Sequence, residues 1–391
     1  MKKILIAILI IVLAAAAIYA GYLLRKRIGG ETGEPSGGGL PGGGLSGGGA
    51  GSFPTSTASG PGGGGVAGGV EAPKLQFADE VAGFYLRGED DFVYARPDGK
   101  IFSWQAGTAT ELSTSTFAGL TRADFSYDGK KVLAAYENRI AVFDLNTRGW
   151  RALPDGAFGA AWSPTSYEAA YLLTKTWGES LAVLDFSKNN TSPRELAVSS
   201  FKDSVIEWPS PGIIMIRERS SVAYRATLWR FDLKSKTLLL VREVLGLDSS
   251  WSYASNGLVF ESNVSRRGGT VSLVSANGRK IKDLELITLP SAKCASIFWP
   301  AEHASSTNNP GWLCGIPLNG EDFAIAALPD AYFMKSLYAA DDLYFVNATD
   351  GEITLLASVS SNWFDVTKPA LWGNKIYFVS RFDNKLYSLE L

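Results

Sequence analysis

The sequence predicts an all-β fold, a seven-bladed β-propeller, and three observations carry that expectation. Seven short alternating apolar strands begin near Lys100, Arg139, Leu181, Thr227, Thr270, Asp342 and Lys385, most of them about 40 to 46 residues apart with one gap of about 70. A strand-only period of about 40 to 50 residues is one four-stranded blade per repeat. Five segments that read as inner strands end in tryptophan before a turn: AAW162, IEW208, SSW251, IFW299 and ALW372, with ADF125 as a sixth. The two ends of the repeat region also complement each other. The last repeat stops after KLYSLEL, one strand short, while LQFAD (75–79) is a spare strand ahead of the first. Pairing them closes the ring and removes two unpaired edges.

Ahead of the propeller, residues 4–24 form an unbroken apolar run, flanked by Lys2 and Lys3 and by Arg25, Lys26 and Arg27. As a helix it would measure about 30 Å, the thickness of a bilayer core. Residues 1–27 therefore read as an uncleaved single-pass anchor. A cleaved signal peptide, with Ala15-Ala16-Ala17 as its small-residue site, is the alternative. The run through Tyr22, Leu23 and Leu24 is long for a signal peptide. Basic residues at both ends leave orientation nearly balanced. The short basic N-terminus and the two cysteines favour an extracytoplasmic propeller.

Residues 28–73 are nearly half glycine. They cannot bury enough apolar surface to offset their ordering entropy, so the expectation is a disordered linker. Its coil would span about 35 to 40 Å. The propeller itself is assigned to 74–391. Of 37 basic residues, the five flanking the apolar run leave 32, and of 39 acidic residues, Glu31, Glu34 and Glu71 leave 36. A net charge near −4 gives no footprint for nucleic acid.

Turn chemistry supports the repeats: Asp98-Gly99, Asp128-Gly129, Asn256-Gly257, Asn277-Gly278 and Asp350-Gly351 tolerate the positive φ of tight hairpins. The tryptophans read as core, since an aromatic recurring at one strand position is normally buried.

The segment YDGKKVLAAY with its following VFDL strand resembles the TolB-like and WD-like propeller repeats of bacterial envelope proteins. WSPTSYEAAYLLT with LAVLDF follows the same pattern with a degraded turn. Across 74–391 the chain also resembles bacterial membrane-anchored propeller proteins. The matches are VAGF (81–84), FVYARPDGKIF (92–102), the paired cysteines and the C-terminal FDVTKPALWGNKIYFVSRFDNKLYSLEL. The TolB-like resemblance implies protein binding; the second implies no activity.

Signals for catalysis are weak. The single histidine, His303, cannot build a multi-histidine metal site, and no G-x-S-x-G elbow occurs. The adjacent acids Asp90-Asp91, Asp341-Asp342 and Glu321-Asp322 read as solvated turn residues, because neighbours on a strand face opposite ways. No cofactor is expected. Cys294 and Cys314 fall on neighbouring strands of blade six, where they form either a disulfide worth about 3 kcal/mol or two buried thiols.

Candidate binding residues come from the loops. Lettering strands a to d outward, the a–b turns are mostly short, whereas several b–c connections are long or decorated. They carry Trp177, Tyr224 with Arg225, and Arg266 with Arg267, and the insertion 319–341 holds Tyr332, Phe333, Met334 and Tyr338. Residues of these types are enriched at interfaces; the alternative is that the aromatics pack the insertion onto blade six. The expected function is a non-enzymatic protein-binding or scaffold module of the cell envelope, monomeric and tethered through 4–24. A cell-surface carbohydrate binder or adhesin is the alternative, and a propeller hydrolase or lyase comes third.

Overall fold

Seven four-stranded antiparallel sheets make up the computed structural model, which describes residues 72–391 except 115, 137–138, 177, 189–190, 202, 300–308 and 360–362. The apolar run 4–24, the glycine-rich segment to residue 71, Trp177 and His303 lie outside the described residues. Among those described, no helix is long and apolar enough to cross a membrane.

Six sheets take their strands in sequence order, each strand hydrogen-bonded to the next. The inner strands are Gly83–Gly88, Arg122–Phe125, Ala157–Trp162, Ser204–Ser210, Asp248–Trp251, Cys294–Trp299 and Val366–Trp372. The seventh sheet is composite. Val366–Trp372, Lys375–Ser380 and Lys385–Glu390 supply strands a to c, and Lys74–Glu80 supplies strand d. Lys74 lies opposite Ser388, Leu75 opposite Tyr387 and Glu80 opposite Lys385, with a bulge between Leu75 and Glu80.

This closure is packed as well as hydrogen-bonded. Phe77, Val81, Phe92, Tyr94, Tyr377, Val379 and Leu386 form one buried cluster across blades seven and one. The Phe77 ring lies 4.4 Å from Tyr94 and 5.0 Å from Trp104, centroid to centroid. A polar latch sits beside it. Lys375 reaches Asp90 at 2.9 Å and the Tyr377 hydroxyl donates to the same carboxylate at 3.1 Å. Asp90 is thus a partner of blade seven as well as a turn residue.

The Asp that ends several third strands has a local reason. Asp144 accepts the backbone N–H groups of Asn146 and Thr147, Asp185 that of Ser187, and Asp232 those of Lys234 and Ser235. Each carboxylate closes its own c–d turn, the Asx-turn chemistry expected of such residues. Of the Asp-Gly and Asn-Gly turns, Gly99, Gly129, Gly278 and Gly351 take positive φ. Asn256-Gly257 does not; there Ser255 carries the left-handed conformation (φ 63°) and Asn256 already begins strand b.

Trp162, Trp208 and Trp251 are buried, consistent with core packing, whereas Trp372 is 42% exposed. Inner strands approach closely where side chains are absent: a Cβ on Gly83 would meet the Ala123 carbonyl oxygen at 2.0 Å.

The buried ring at the closure makes a test. Replacing Phe77 with Ala should cost about 3–5 kcal/mol, read as a lower urea midpoint with an unchanged m-value. A loss below about 1 kcal/mol would mean that strand 74–80 does not hold the ring shut.

Candidate functional site

Strand direction sorts the loops onto two faces. The a–b and c–d turns share one, and the b–c and d–a connections share the other. Lys74–Glu80 starts beside the C-terminal end of 385–390, on the a–b/c–d face. The described loop residues singled out from sequence all belong to b–c connections and so lie on the opposite face.

The largest of these connections links Asn309–Pro317 to Asp341–Asn347 in blade six. It folds into two short helices, Gly320–Ile325 and Asp330–Phe333, and is tied to three other blades. The Asp330 carboxylate accepts the Ser221 hydroxyl at 2.9 Å and the Val222 N–H at 2.8 Å, from blade four. From blade five, Gly268 N–H donates to Ala326 O at 2.8 Å and the Ser262 hydroxyl donates to Leu328 O. A Cβ on Gly268, whose φ is +60°, would meet Ala324 O at 2.5 Å, so only glycine permits that approach. From blade seven, the Arg381 guanidinium donates to the carbonyls of Leu337 and Tyr332.

Beneath the insertion sits a buried ionic cluster. Lys293, at the end of the helix Pro290–Lys293, is fully buried. Its ammonium donates to Asp341 at 2.5 Å and to Asp365 at 2.7 Å. Asp365 also accepts the Tyr332 hydroxyl at 2.7 Å, the Ala339 N–H at 3.1 Å and Arg381 at 3.1 Å. Asp341 accepts the Val366 N–H at 2.6 Å. Burial alone would lower the Lys293 pKa, but Asp341, Tyr332 and Asp365 outweigh it and hold the ammonium above the usual lysine range. Asp341 is pulled both ways: burial pushes it up, to about 7, against the attraction of Lys293. The hydrogen bonds from Lys293 and Val366 favour the ionised pair.

Two expectations are corrected here. Tyr332 is not an exposed interface residue: it is 1% exposed, with its hydroxyl on Asp365 and its ring under Arg381 at 3.9 Å. A helical turn at Asp330–Phe333 points residue 332 inward and residues 333 and 334 outward. Asp341 and Asp342 are not solvated turn residues either. Both are buried, Asp341 on Lys293 and Asp342 accepting the Val359 N–H at 2.9 Å.

The remaining loop residues lie at the surface. Phe333 and Met334 are 43% and 73% exposed. Tyr338 stacks on Phe382 of blade seven at 5.0 Å. Tyr224 is exposed, its hydroxyl donating to Arg219 O at 2.9 Å. Arg225 pairs with Glu243 at 3.2 Å, so it is committed to its own blade. Arg266 and Arg267 are exposed on the blade-five loop. Sequence reading missed Ile325 and Val264, 67% and 93% exposed on the same face, because isolated aliphatics carry no pattern. Cys294 and Cys314 are register partners joined as a disulfide, Cα atoms 4.1 Å apart.

The cluster predicts an asymmetry between two substitutions. Lys293→Met strands two buried carboxylates and should cost about 3–5 kcal/mol. Tyr332→Phe removes one donor from a carboxylate that keeps three others and should cost about 1–3 kcal/mol. Chemical denaturation of both variants checks the order; equal costs would contradict the cluster's role.

No known family profile matches the sequence, and no curated protein sequence matches it. Among solved structures, the chain is similar to virginiamycin B lyase from Staphylococcus aureus, crystallised as a catalytically inactive variant with quinupristin. The TM-score is 0.51 at 12% identity, covering 82% of this chain and 99% of that one. At that identity the likeness shows the fold, a β-propeller.

Proposed function

We propose that the chain is a membrane-tethered, extracytoplasmic β-propeller serving as a non-enzymatic protein-binding or scaffold module of the cell envelope. The observation that carries this reading is the platform on the b–c face. Ile325, Phe333 and Met334 from the insertion, Val264 from blade five, Tyr224 from blade four and Phe382 from blade seven all expose apolar surface there. Their backbones are bolted together by the hydrogen bonds of Asp330, Gly268, Ser262 and Arg381. A rigid, pre-organised apolar surface loses little entropy on docking, which is what a protein-binding hot spot requires. Arg266 and Arg267 at its border suit a partner with apolar anchors and an acidic rim.

The adhesin reading finds less support on this face. A sugar needs polar groups beside the stacking rings, and Val264, Ile325, Phe333 and Met334 offer none. The likeness to a lyase rests on fold alone and contributes no residue to a reaction. The TolB-like repeat pattern agrees with protein binding, and the apolar run 4–24 with a tether. A disulfide at Cys294–Cys314 suits an oxidising compartment. Because strand 74–80 starts on the opposite face, a tether attached there leaves the platform free.

Site-specific photo-crosslinking in the native host tests the reading. A crosslinker replacing Met334 should trap an envelope or secreted protein, while one replacing Tyr127 on the a–b face should not. Phe333→Ser should weaken the purified interaction by about 2–4 kcal/mol at unchanged melting temperature. Equal trapping from both faces, or none from Met334, overturns it. Compartment is checked separately: non-reducing mass spectrometry of native-host protein should recover a peptide linking Cys294 to Cys314, and free thiols there would remove the argument for export.

A further inference from the structure

The central channel contains a cavity of about 770 Å³ that the platform does not use. It is lined from the inner strands of blades one, two, four, five, six and seven. Gly83, Ala123, Ala292, Ala295 and Ala370 keep it wide. Arg122, Asp124, Glu207, Arg217 and Lys368 put charge into it, and Tyr85 and Tyr253 put aromatic rings towards its a–b end. The volume falls within the range of small-molecule sites.

Charge accounting separates Lys368 from the rest. Arg122 pairs with Asp124, and Arg217 pairs with the buried Asp248 at 3.1 Å. Among the described residues Lys368 has no ion-pair partner; its ammonium donates to the Ala82 carbonyl. Lys368 is exposed to the channel rather than packed into protein; enclosure by the ring of strands lowers its pKa, Asp124 opposing and Arg122 adding to the effect. Glu207 accepts the Trp251 N–H at 3.0 Å. Desolvation raises its carboxyl to about 7, Arg217, the Trp251 hydrogen bond and Arg122 pulling it down and Asp248 pushing it up. The channel therefore holds one ammonium without a salt-bridge partner, in the same cavity as a carboxyl that serves both as donor and as acceptor near neutrality.

The backbone is distorted at these same two residues. Lys368 has φ +48° directly before Pro369, inside a bulge between Thr367 and Ala370. Glu207 borders a bulge that runs to Ser210. A non-glycine residue in the left-handed region costs about 1–3 kcal/mol and persists where its surroundings enforce it, and bulges re-aim side chains at functional sites. The bond to Ala82 gives Lys368 a contact across the seam, but the inner-strand bulge of blade three places a glycine, Gly159 at φ +57°, in the left-handed position, so the bulge itself does not call for a lysine.

We infer that the channel is a binding site for a small hydroxylated monocarboxylate of the uronic-acid class, with its carboxylate on Lys368, its hydroxyls on Glu207 and Asp124, and its ring against Tyr85 and Tyr253. One ammonium without a salt-bridge partner matches one carboxylate, and the carboxyls of Glu207 and Asp124 in the same cavity oppose a second negative charge. The two acids of the cavity lining match hydroxyl groups, and the tyrosines match the C–H face of a pyranose.

Calorimetric titration of the full-length protein in detergent tests this with three probes: D-glucuronate, D-glucose and acetate. Glucuronate should bind at least about tenfold more tightly than either of the others. Lys368→Met should erase that advantage while leaving glucose unchanged. The isosteric Glu207→Gln should weaken both sugars and spare acetate, and it decides the matter if the lysine variant fails to fold. Three outcomes would overturn the site: no glucuronate binding at about 10 mM, acetate binding equal to glucuronate, or full affinity in both folded variants. The first would mark the channel as water-filled only, the second as holding adventitious anions only.

Discussion

Ring closure is the constraint on which the other features depend. Six blades are continuous hairpins and would form from local contacts, but blade seven exists only when strand 74–80 reaches 385–390, some 310 residues later in the chain. Until it does, two sheet edges stay open. The closing strand is anchored by one aromatic, Phe77, in a cluster that belongs equally to blades one and seven. The latch of Asp90 with Lys375 and Tyr377 repeats the joint in polar form. Closure also fixes the channel, because Lys368 of blade seven donates to Ala82 of blade one. A ring open at that seam would have neither.

The second joint is the buried cluster around Lys293. Its parts come from blade six, from the insertion and from blade seven, so it behaves as a keystone beneath the platform. An ammonium with two carboxylates and a guanidinium closes to neutrality, and the carboxylates take further backbone and tyrosine donors. Among the cluster's buried side-chain atoms only Asp341 Oδ1 lacks a hydrogen-bond partner. A half-satisfied buried network would destabilise the fold, whereas one satisfied at nearly every atom specifies a single arrangement of the groups it joins. The rigidity of the platform follows from this cluster more than from its short helices, which at six and four residues are too short to be stable alone.

Much of the architecture was legible in the sequence because period-two alternation, turn residues and the missing last strand all depend on short-range pattern. The aspartates ending third strands were visible as a motif, and their role as turn caps is local too. Tyr332 shows where legibility stops. The four candidates in AYFMKSLY, Tyr332, Phe333, Met334 and Tyr338, read alike, and only the phase of a single helical turn decides that Tyr332 faces Asp365 while Phe333 and Met334 face outward. Asp341 and Asp342 resemble any acidic pair at a loop end. Their burial depends on Lys293 and Val359, which are 48 and 17 residues away. Lys368 and Glu207 gave no signal at all, since a charge inside an apolar strand looks like a solvent-facing position until the ring turns that side toward the channel.

Platform and channel, though on different parts of the blades, are joined by contiguous polar contacts. The helix Pro290–Lys293 lies between them: Ser291 and Ala292 line the channel, and Lys293 supports the insertion. The Ser291 N–H donates to Asp248 at 2.9 Å, Asp248 holds Arg217, and Arg217 is the strongest charge acting on Glu207. Contiguity is not coupling, because energy passes between sites only through an element with two arrangements. The helix Pro290–Lys293 is poorly suited to be one. Its last residue is fixed by two carboxylates, its second by Asp248, and the residue that follows it by the disulfide. The arrangement makes the two proposed sites independent on a stiff ring: a ligand in the channel would leave the geometry of the proposed docking face unchanged, and the channel's affinity would not depend on what that face had bound.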